Sequence, residues 1–331
     1  MDEVIVLSRG EDDLAVRCDR GISLVPRADR VRHAPDRSLL AVRHGSLVAR
    51  CSCWWRETAS PVGARIGAIG HYAACDGDAS AALLSRACEL LAGAGCTTAV
   101  GPMDGTTWRP YRFVVDRGSE PPFFLEPQNP PGWPGQWASA GFSPFAFYTS
   151  AVSHDLNAED PRSSGAAARL AAAGISIRAF DPAQPDVELR RIFALSTRCF
   201  CRNLLYSPIA EGEFLEQYRA LLPCVRPEMI LLAEREGTLV GFVVALPDVL
   251  QAREGAAIDT VVVKTVGVDL GVSGMGLGGL LVALVQREAS RLGFRRAIHA
   301  LMHDSNASRR ISDRSARTFR RYALLSKALV Q

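Results

Sequence analysis

The chain has 331 residues, which is long for one domain, so two domains of ordinary size are expected. Its hydrophobic fraction of 48% and charged fraction of 22% are typical of a globular protein with a sizeable core. A net charge of +3 gives no broad basic field for nucleic acid, and no uninterrupted apolar run reaches the ~20 residues of a membrane span. We therefore expect neither a nucleic-acid partner nor a membrane.

The nine cysteines are scattered along the chain. Two Cys-x-Cys pairs, Cys51/Cys53 and Cys199/Cys201, lack the spacing and the second pair that a zinc site needs. We predict no metal ligands and interpret the thiols as small apolar groups in a reducing compartment. No signal-peptide pattern is visible, and a cytoplasmic location is expected.

The first half of the chain predicts a hairpin, a strand, a helix and a strand, in that order. Leu39–Arg50 contains two β-rich runs around a polar turn with Gly45. A third strand is expected at Arg65–Cys75. Ala79–Leu91 has apolar residues at helical spacing, and Thr97–Val100 resumes as a strand.

Residues 101–146 have a different composition, with many prolines and aromatic residues. The prolines exclude regular structure, and the aromatic residues argue against disorder. A long ordered loop is predicted, which either lines a binding surface or only packs. The segment His154–Ala173 is rich in Ser, Gly and Ala, which predicts a connection between domains that contains a short helix.

The second half repeats the pattern of the first. Two helices are expected at Asp186–Phe200 and Glu211–Leu222, before a hairpin at Leu231–Phe242. Both hairpins have the sequence Leu-Leu-Ala-x-Arg-x-Gly-x-Leu-Val, and each is followed by a strand, a helix ending at glycine (Gly95, Gly293) and another strand. This internal repeat predicts one fold occurring twice.

A glycine-rich turn at Leu270–Gly279 follows the apolar strand Thr260–Asp269 and begins a helix. Glycine lets several backbone N–H groups converge, and a helix N-terminus adds positive potential, so the turn predicts a phosphate site. No lysine follows the glycines, which excludes a P-loop. A dinucleotide fingerprint is formally present, but the chain beyond Asp304 is too short for the further βα units of that fold.

The strand, turn and helix resemble the acetyl-CoA-binding core of the GNAT family (GCN-related N-acetyltransferases). That family's signature, Gln/Arg-x-x-Gly-x-Gly/Ala, falls after a strand and at the start of a helix. Gly276-Leu277-Gly278 stands at the Gly-x-Gly, and Gly274 precedes it. Ser273 occupies the Gln/Arg position, which removes one polar side chain but none of the backbone donors.

The resemblance implies an α/β (α+β) fold of two GNAT-like domains, each a mixed, mostly antiparallel sheet flanked by helices. Residues 1–150 would be a degenerate copy with the proline- and aromatic-rich insert, 151–182 a connection, and 183–331 the acyl-CoA-binding domain. The first copy has Asp76–Ser80 in place of the glycine turn, and its two carboxylates would repel a pyrophosphate.

The resemblance also implies site residues. Those expected to bind the cofactor are Val266, Gly267, Val268, Ser273, Gly274, Met275, Gly276, Leu277, Gly278 and Asn306. The catalytic candidates are Asp259 as a base, His303 as a proton shuttle and Tyr322 as the acid for the leaving thiolate. Asn203, Tyr206 and Trp108 are expected beside the acceptor.

The function that follows is direct acyl transfer from acetyl-CoA, or another acyl-CoA, to a small amine or amino-acid-like acceptor. The group transferred would not be an aminoacyl group. Two alternatives stay open: an acyl-CoA-binding protein without catalysis, and, less favoured, a dinucleotide-binding oxidoreductase. The first is motivated by three departures from the family pattern: the missing signature Gln/Arg, Lys264 in place of the mid-strand acidic base, and the lack of a tyrosine in residues 306–317.

Overall fold

A computed structural model describes residues 2–9, 16–59, 64–158 and 161–330. The elements of the first half are β1 (Glu3–Ser8), α1 (Arg27–His33), β2 (Arg37–Arg43), β3 (Ser46–Trp54), β4 (Ile66–Ala74), α2 (Gly77–Gly93), β5 (Thr98–Gly101), β6 (Phe113–Asp116), α3 (Trp133–Ser139) and β7 (Ser143–Ser153). Those of the second half are α4 (Pro161–Ala172), β8 (Ile175–Ala179), α5 (Pro185–Cys199), α6 (Glu211–Arg219), β9 (Ile230–Arg235), β10 (Thr238–Pro247), α7 (Leu250–Arg253), β11 (Thr260–Val268), α8 (Leu277–Arg291), β12 (Arg296–His303), α9 (Ala307–Ser312) and β13 (Arg317–Ala328).

The internal repeat is present in the structure, down to the turns of the two hairpins. β2-β3-β4-α2-β5 and β9-β10-β11-α8-β12 follow the same order, and each ends with a parallel pair of strands across the helix. His44 and Gly45 have φ of +52° and +76°, and Glu236 and Gly237 have φ of +50° and +75°. Two consecutive residues with positive φ form the tight turn whose twist matches that of the flanking strands.

The two halves share one 13-stranded sheet. Twelve strands follow the order β1-β2-β3-β4-β5-β13-β7-β12-β11-β10-β9-β8, and β6 pairs with β13 outside this order. β13, the last strand of the chain, pairs with β5 of the first half, and β7 of the first half pairs with β12 of the second. β7 and β13 pair with each other at the centre. Each half therefore completes the sheet of the other, and the division into domains at residues 150 and 183 stays a prediction.

The prediction that prolines exclude regular structure from residues 101–146 was wrong for β6, α3 and the start of β7, which begins at Ser143 and includes Pro144. Pro134 lies in the first turn of α3, where backbone N–H groups have no intrahelical acceptor. The missing N–H of proline therefore costs the helix no hydrogen bond. Trp137 of α3 is completely buried against the first half of the sheet.

The helix of the predicted connection is α4, which packs against α8 through the buried side chains of Ala166 and Leu170. Residues 159 and 160 of that connection lie outside the described residues. α8 covers one face of the second half of the sheet, and α5 and α6 cover the other. Among the described residues, no helix has the length and apolarity that crossing a membrane requires.

Candidate functional site

The second half of the sheet forks between β11 and β12. Their parallel ladder runs from Thr260/Arg296 to Val263/His299 and does not continue beyond that pair. β11 stays paired with β10 through Val268, but the register shifts at Lys264, which has no partner of its own on β10. This bulge bends β11, so its last residues present one edge that is not paired with β12.

The glycine turn lies at the open end of the fork. Gly274 and Gly276 have φ of +84° and +88°, a region that side chains other than glycine rarely adopt. The first helical hydrogen bond of α8 runs from the Leu280 N–H to the Gly276 carbonyl, at 3.0 Å. The N–H groups of the residues between them therefore precede the helical ladder, and they offer donors to an anion.

Two glycines of the turn lie in close contact with other elements. A Cβ at Gly278 would lie 3.5 Å from Ile311 Cδ1 of α9 and 3.6 Å from Val268 Cγ2 of β11. A Cβ at Gly276 would lie 2.9 Å from the Ala166 Cβ of α4, closer than real contacts allow. Only glycine fits Gly276, so the turn can keep its backbone exposed to a ligand.

Arg169 is a functional candidate that the sequence reasoning missed. This exposed residue of α4 brings its Nη2 atom within 3.6 Å of the position that a Cβ would occupy at Gly276. It adds a guanidinium to a turn in which Ser273 has replaced the signature Gln/Arg. No sequence signal pointed to it, since α4 lies in the predicted connection and meets the turn only through its packing on α8.

A buried histidine marks the point where the fork opens. His299 is the last β12 residue in the ladder with β11, and only 5% of its surface is exposed. Its Nδ1 is hydrogen-bonded to Ser312 Oγ at 2.9 Å, whereas Nε2 is buried and has no partner among the described residues. Burial lowers the pKa of His299 to about 4, so the ring is neutral at neutral pH.

The unpaired edge, the glycine turn and the orphaned Nε2 of His299 fit an acyl-CoA. They provide polar groups for an extended amide-containing arm and for a pyrophosphate. Asn306 also fits: it occupies the N-cap of α9, but its side chain makes no capping hydrogen bond.

The predicted catalytic residues do not come together. Asp259 lies at the closed end of the fork, where its Oδ1 accepts hydrogen bonds from Gln251, Thr260 and Arg296 at 2.8, 2.7 and 3.2 Å. Burial acts to raise the pKa of Asp259, but these hydrogen bonds and the charge of Arg296 lower it overall. This carboxylate joins the starts of β11 and β12.

Tyr322 is completely buried in β13, at the centre of the sheet. Its hydroxyl donates to Glu126 Oε1 and lies 3.0 Å from Ser150 Oγ. Burial, and secondarily the charge of Glu126, raise the pKa of Tyr322. Arg320 Nε lies 3.2 Å from Glu126 Oε1, so the phenol belongs to an enclosed polar network.

His303 ends β12 at the open end of the fork and is partly exposed. Its Nδ1 accepts from the Ser305 N–H at 3.2 Å and lies 2.8 Å from Ser305 Oγ. These bonds place the ring proton on Nε2. Burial lowers the pKa of His303, which favours the neutral ring.

The predicted acceptor residues Trp108 and Tyr206 do come together. Their rings meet edge to face with centroids 6.1 Å apart, and Trp108 Nε1 donates to the Ser207 carbonyl at 2.9 Å. The insert of the first half thus contacts the second half. Asn203 is exposed on the same loop, and its carbonyl accepts from the Tyr206 N–H.

The corresponding fork of the first half is filled by its own chain. The ladder of β4 and β5 ends at Ala68/Val100, and the Met103 N–H then donates to the Ile69 carbonyl at 2.8 Å. At the start of α2, the Asp76 side chain accepts from the Ala79 N–H at 2.8 Å and pairs with Arg43. The helix N-terminus there already has an anionic cap.

Comparison with known proteins agrees with this geometry. Residues 189–311 match the acetyltransferase (GNAT) family, a segment that contains the fork and the glycine turn. Residues 189–311 of this chain are therefore similar to a GNAT domain. No curated protein matches the chain.

Solved structures match the GNAT fold over nearly the whole chain. A tandem GNAT protein from the clavulanic acid biosynthesis pathway is 15% identical with a TM-score of 0.51, and the match covers 100% of this chain and 99% of that one. A conserved Enterococcus faecalis protein, described as a probable N-acyltransferase, is 10% identical with a TM-score of 0.58, over 99% and 73%. The chain spans 38% of a fungal multi-domain β-N-acetylglucosaminidase with a glucosamine N-acetyltransferase region, at 14% identity, a TM-score of 0.54 and 99% of this chain.

These matches confirm the predicted GNAT resemblance and the mixed, largely antiparallel fold. Such a sheet is not doubly wound, so the fold removes the basis of the dinucleotide-binding alternative.

Proposed function

We propose that the protein is an acyl-CoA-dependent N-acyltransferase, with acetyl-CoA as the first donor to test and a small amine or amino-acid-like molecule as acceptor. The observation that supports this most directly is the fork between β11 and β12, which opens onto the glycine turn of α8. A CoA thioester has the matching order of parts, an amide-containing arm followed by a pyrophosphate.

Three groups of residues would hold the acyl-CoA. The backbone of Val266–Val268 would pair with its arm, and the turn Ser273–Gly278 would bind its pyrophosphate, with Arg169 beside it. Asn306 would contribute its free amide. Once bound, the thioester supplies an activated acyl group, and a backbone N–H of the strand edge would stabilise the negative charge that develops on its oxygen.

We assign proton exchange with the acceptor to His303, through the exposed hydroxyl of Ser305. Of the three predicted catalytic residues, His303 is the one at the open end of the fork. Tyr322 is enclosed by Glu126 and Ser150, and Asp259 lies at the other end of β11, so neither has this role in the proposal.

The first half would bind no acyl-CoA, because its own residues occupy the fork and the helix N-terminus. Its insert would instead complete the acceptor side through Trp108, beside Tyr206. The cytoplasmic location expected from the cysteine pattern stays a prediction.

The alternative of an acyl-CoA-binding protein without catalysis is favoured by one observation: Tyr322, the tyrosine predicted to be the acid for the leaving thiolate, is completely buried in the sheet. Isothermal titration calorimetry with acetyl-CoA, CoA and NADH tests the binding class. The proposal predicts binding heat from acetyl-CoA and from CoA but none from NADH. The absence of binding heat from both CoA species would refute it. A thiol-release assay with a panel of amines then separates an enzyme from a binder.

A variant of the turn tests the location of the site. Gly276→Val should abolish acetyl-CoA binding, because the new side chain collides with Ala166 and cannot keep φ at +88°. Gly255→Val is the matched control: Gly255 also has positive φ, at +78°, but has open space around it and lies after α7. Unchanged affinity in Gly276→Val would place the site elsewhere.

A further inference from the structure

A second polar cluster lies at the fork of the first half, remote in sequence from the GNAT domain. It consists of His33 at the end of α1, His71 in β4 and Asp104 shortly after β5. His71 has a φ of +49° and lies where the register between β3 and β4 shifts. The irregular backbone turns this imidazole toward the other two side chains.

The ligand atoms of these three residues converge on one point. His33 Nδ1 lies 2.7 Å from His71 Nε2, and Asp104 Oδ2 lies 3.9 Å from the same nitrogen. All three atoms lie within 4.8 Å of one another. In a tetrahedral zinc site with Zn–N bonds of about 2.1 Å, neighbouring ligand atoms are about 3.4 Å apart. One observed separation is shorter than that value, one is longer, and the third is at most 4.8 Å, so modest side-chain shifts would bring the three atoms to zinc-ligand spacing.

The residues behind the cluster orient the ligands. Ser52 Oγ lies 3.1 Å from His71 Nδ1, and this contact directs Nε2 toward His33. The His71 N–H donates to Asp104 Oδ1 at 2.6 Å, which leaves Oδ2 to face the imidazoles. The Trp54 ring packs edge-on against the His71 ring at 5.0 Å. Metal-binding histidines commonly have such a partner on the second ring nitrogen.

The cluster is closed on one side and open on the other. His71 is 8% exposed, whereas His33 and Asp104 are partly exposed, so an ion could enter from the α1 side. The guanidinium groups of Arg30, Arg50 and Arg109 oppose a cation at His71, and that of Arg32 opposes one at His33. Arg50 donates to the His71 carbonyl, and Arg109 donates to the His33 carbonyl. Arg109 is paired with Glu213 of α6 through two hydrogen bonds, and Arg32 is paired with Asp29 and Glu216. Asp104 supplies the carboxylate within the cluster itself.

We propose that His33 Nδ1, His71 Nε2 and a carboxylate oxygen of Asp104 bind a divalent transition metal ion, of which Zn²⁺ fits best. Two neutral imidazoles and one carboxylate, with a fourth position left to water, form a common donor set for this ion. Binding requires the proton shared between His33 Nδ1 and His71 Nε2 to move to the other ring nitrogen of the histidine that carries it, so both imidazoles stay neutral. The ion would fix α1 to the fork of the first half, and through Arg109 and Glu213 it would act on α6 of the GNAT half.

The test uses the full chain, freed of metal by chelation and then dialysed. Zinc content after re-addition of ZnCl₂ is measured by plasma mass spectrometry, and the site is probed with Co²⁺ by visible absorption. We expect one zinc ion per chain. We also expect cobalt d–d bands of four-coordinate intensity without the thiolate charge-transfer band that Cys51 or Cys53 would cause.

His33→Gln and Asp104→Asn should each weaken zinc binding at least tenfold, because each removes a ligand but retains a polar side chain of similar size. His154→Gln, a change of an exposed histidine outside the cluster, is the control and should bind zinc like the unaltered protein. Circular dichroism checks that each variant is folded. Full zinc content in both cluster variants, or a chain that takes up no zinc, would overturn the proposal.

Discussion

Arg169→Gln probes the part of the site that only the packing of α4 created. Its guanidinium lies beside the turn at Gly276, and the substitution removes the charge together with the outer part of the side chain, leaving a shorter neutral amide. A hydrogen bond to a charged group contributes about 1.5–3 kcal/mol when it is sheltered from water. Because Arg169 is exposed, we take a lower value, about 1 kcal/mol. That corresponds to a roughly fivefold rise in the Kd for acetyl-CoA.

The assay is isothermal titration calorimetry at low and at moderate salt, since screening reduces an exposed ionic contact. S-acetylpantetheine, which has no pyrophosphate, serves as the second ligand and should bind the variant and the unaltered protein alike. Arg287→Gln is the charge control, because Arg287 is exposed on α8, the helix that begins at the turn, but near its C-terminal end. The reasoning is refuted if Arg169→Gln binds acetyl-CoA as tightly as the unaltered protein, at both salt concentrations.

Three further changes test the packing behind the site. Gly267→Ala should lower the free energy of unfolding by about 1–3 kcal/mol in urea denaturation, because its Cβ would lie 2.3 Å from Phe242 Cε1. Tyr322→Phe should lower it by about 1–3 kcal/mol, since Glu126 loses a buried donor, while kcat for acyl transfer stays within twofold. The stability contributed by His299 should be present above about pH 6.5 and be lost as the pH falls toward about 4, at up to about 2 kcal/mol by pH 5.

The sign of the pH effect follows from burial. The unfolded chain takes up a proton on His299 near pH 6.5, but the folded chain does so only near pH 4, so acid favours unfolding in between. His299→Gln should flatten that slope relative to His154→Gln, and equal slopes would contradict the burial argument. For the glycine change, Gly212→Ala in α6 is the control, because nothing lies within 4 Å of its Cβ position. If Tyr322→Phe is folded but its kcat falls strongly, Tyr322 is the acid that protonates the leaving thiolate after all.

Much of the fold could be predicted because its signals are local. Both hairpins were visible as β-rich runs around a glycine turn, and both have the paired positive φ values that such turns need. The strand–turn–helix around Gly276 was equally visible, since glycines at fixed spacing set the backbone conformation whatever surrounds it. The fork could be predicted only through the family resemblance, because no sequence pattern around Lys264 indicates the bulge.

The local sequence determined the repeated units and the glycine turn, because turn chemistry and periodicity act over a few residues. Tertiary structure alone decided which strands the halves exchange, because strand pairing depends on register across the whole sheet. That exchange places Tyr322 at the sheet centre, away from solvent. Tertiary packing also brings Arg169 to the turn and His33 to His71. These residues are far apart in the sequence, so no local pattern predicts their contact.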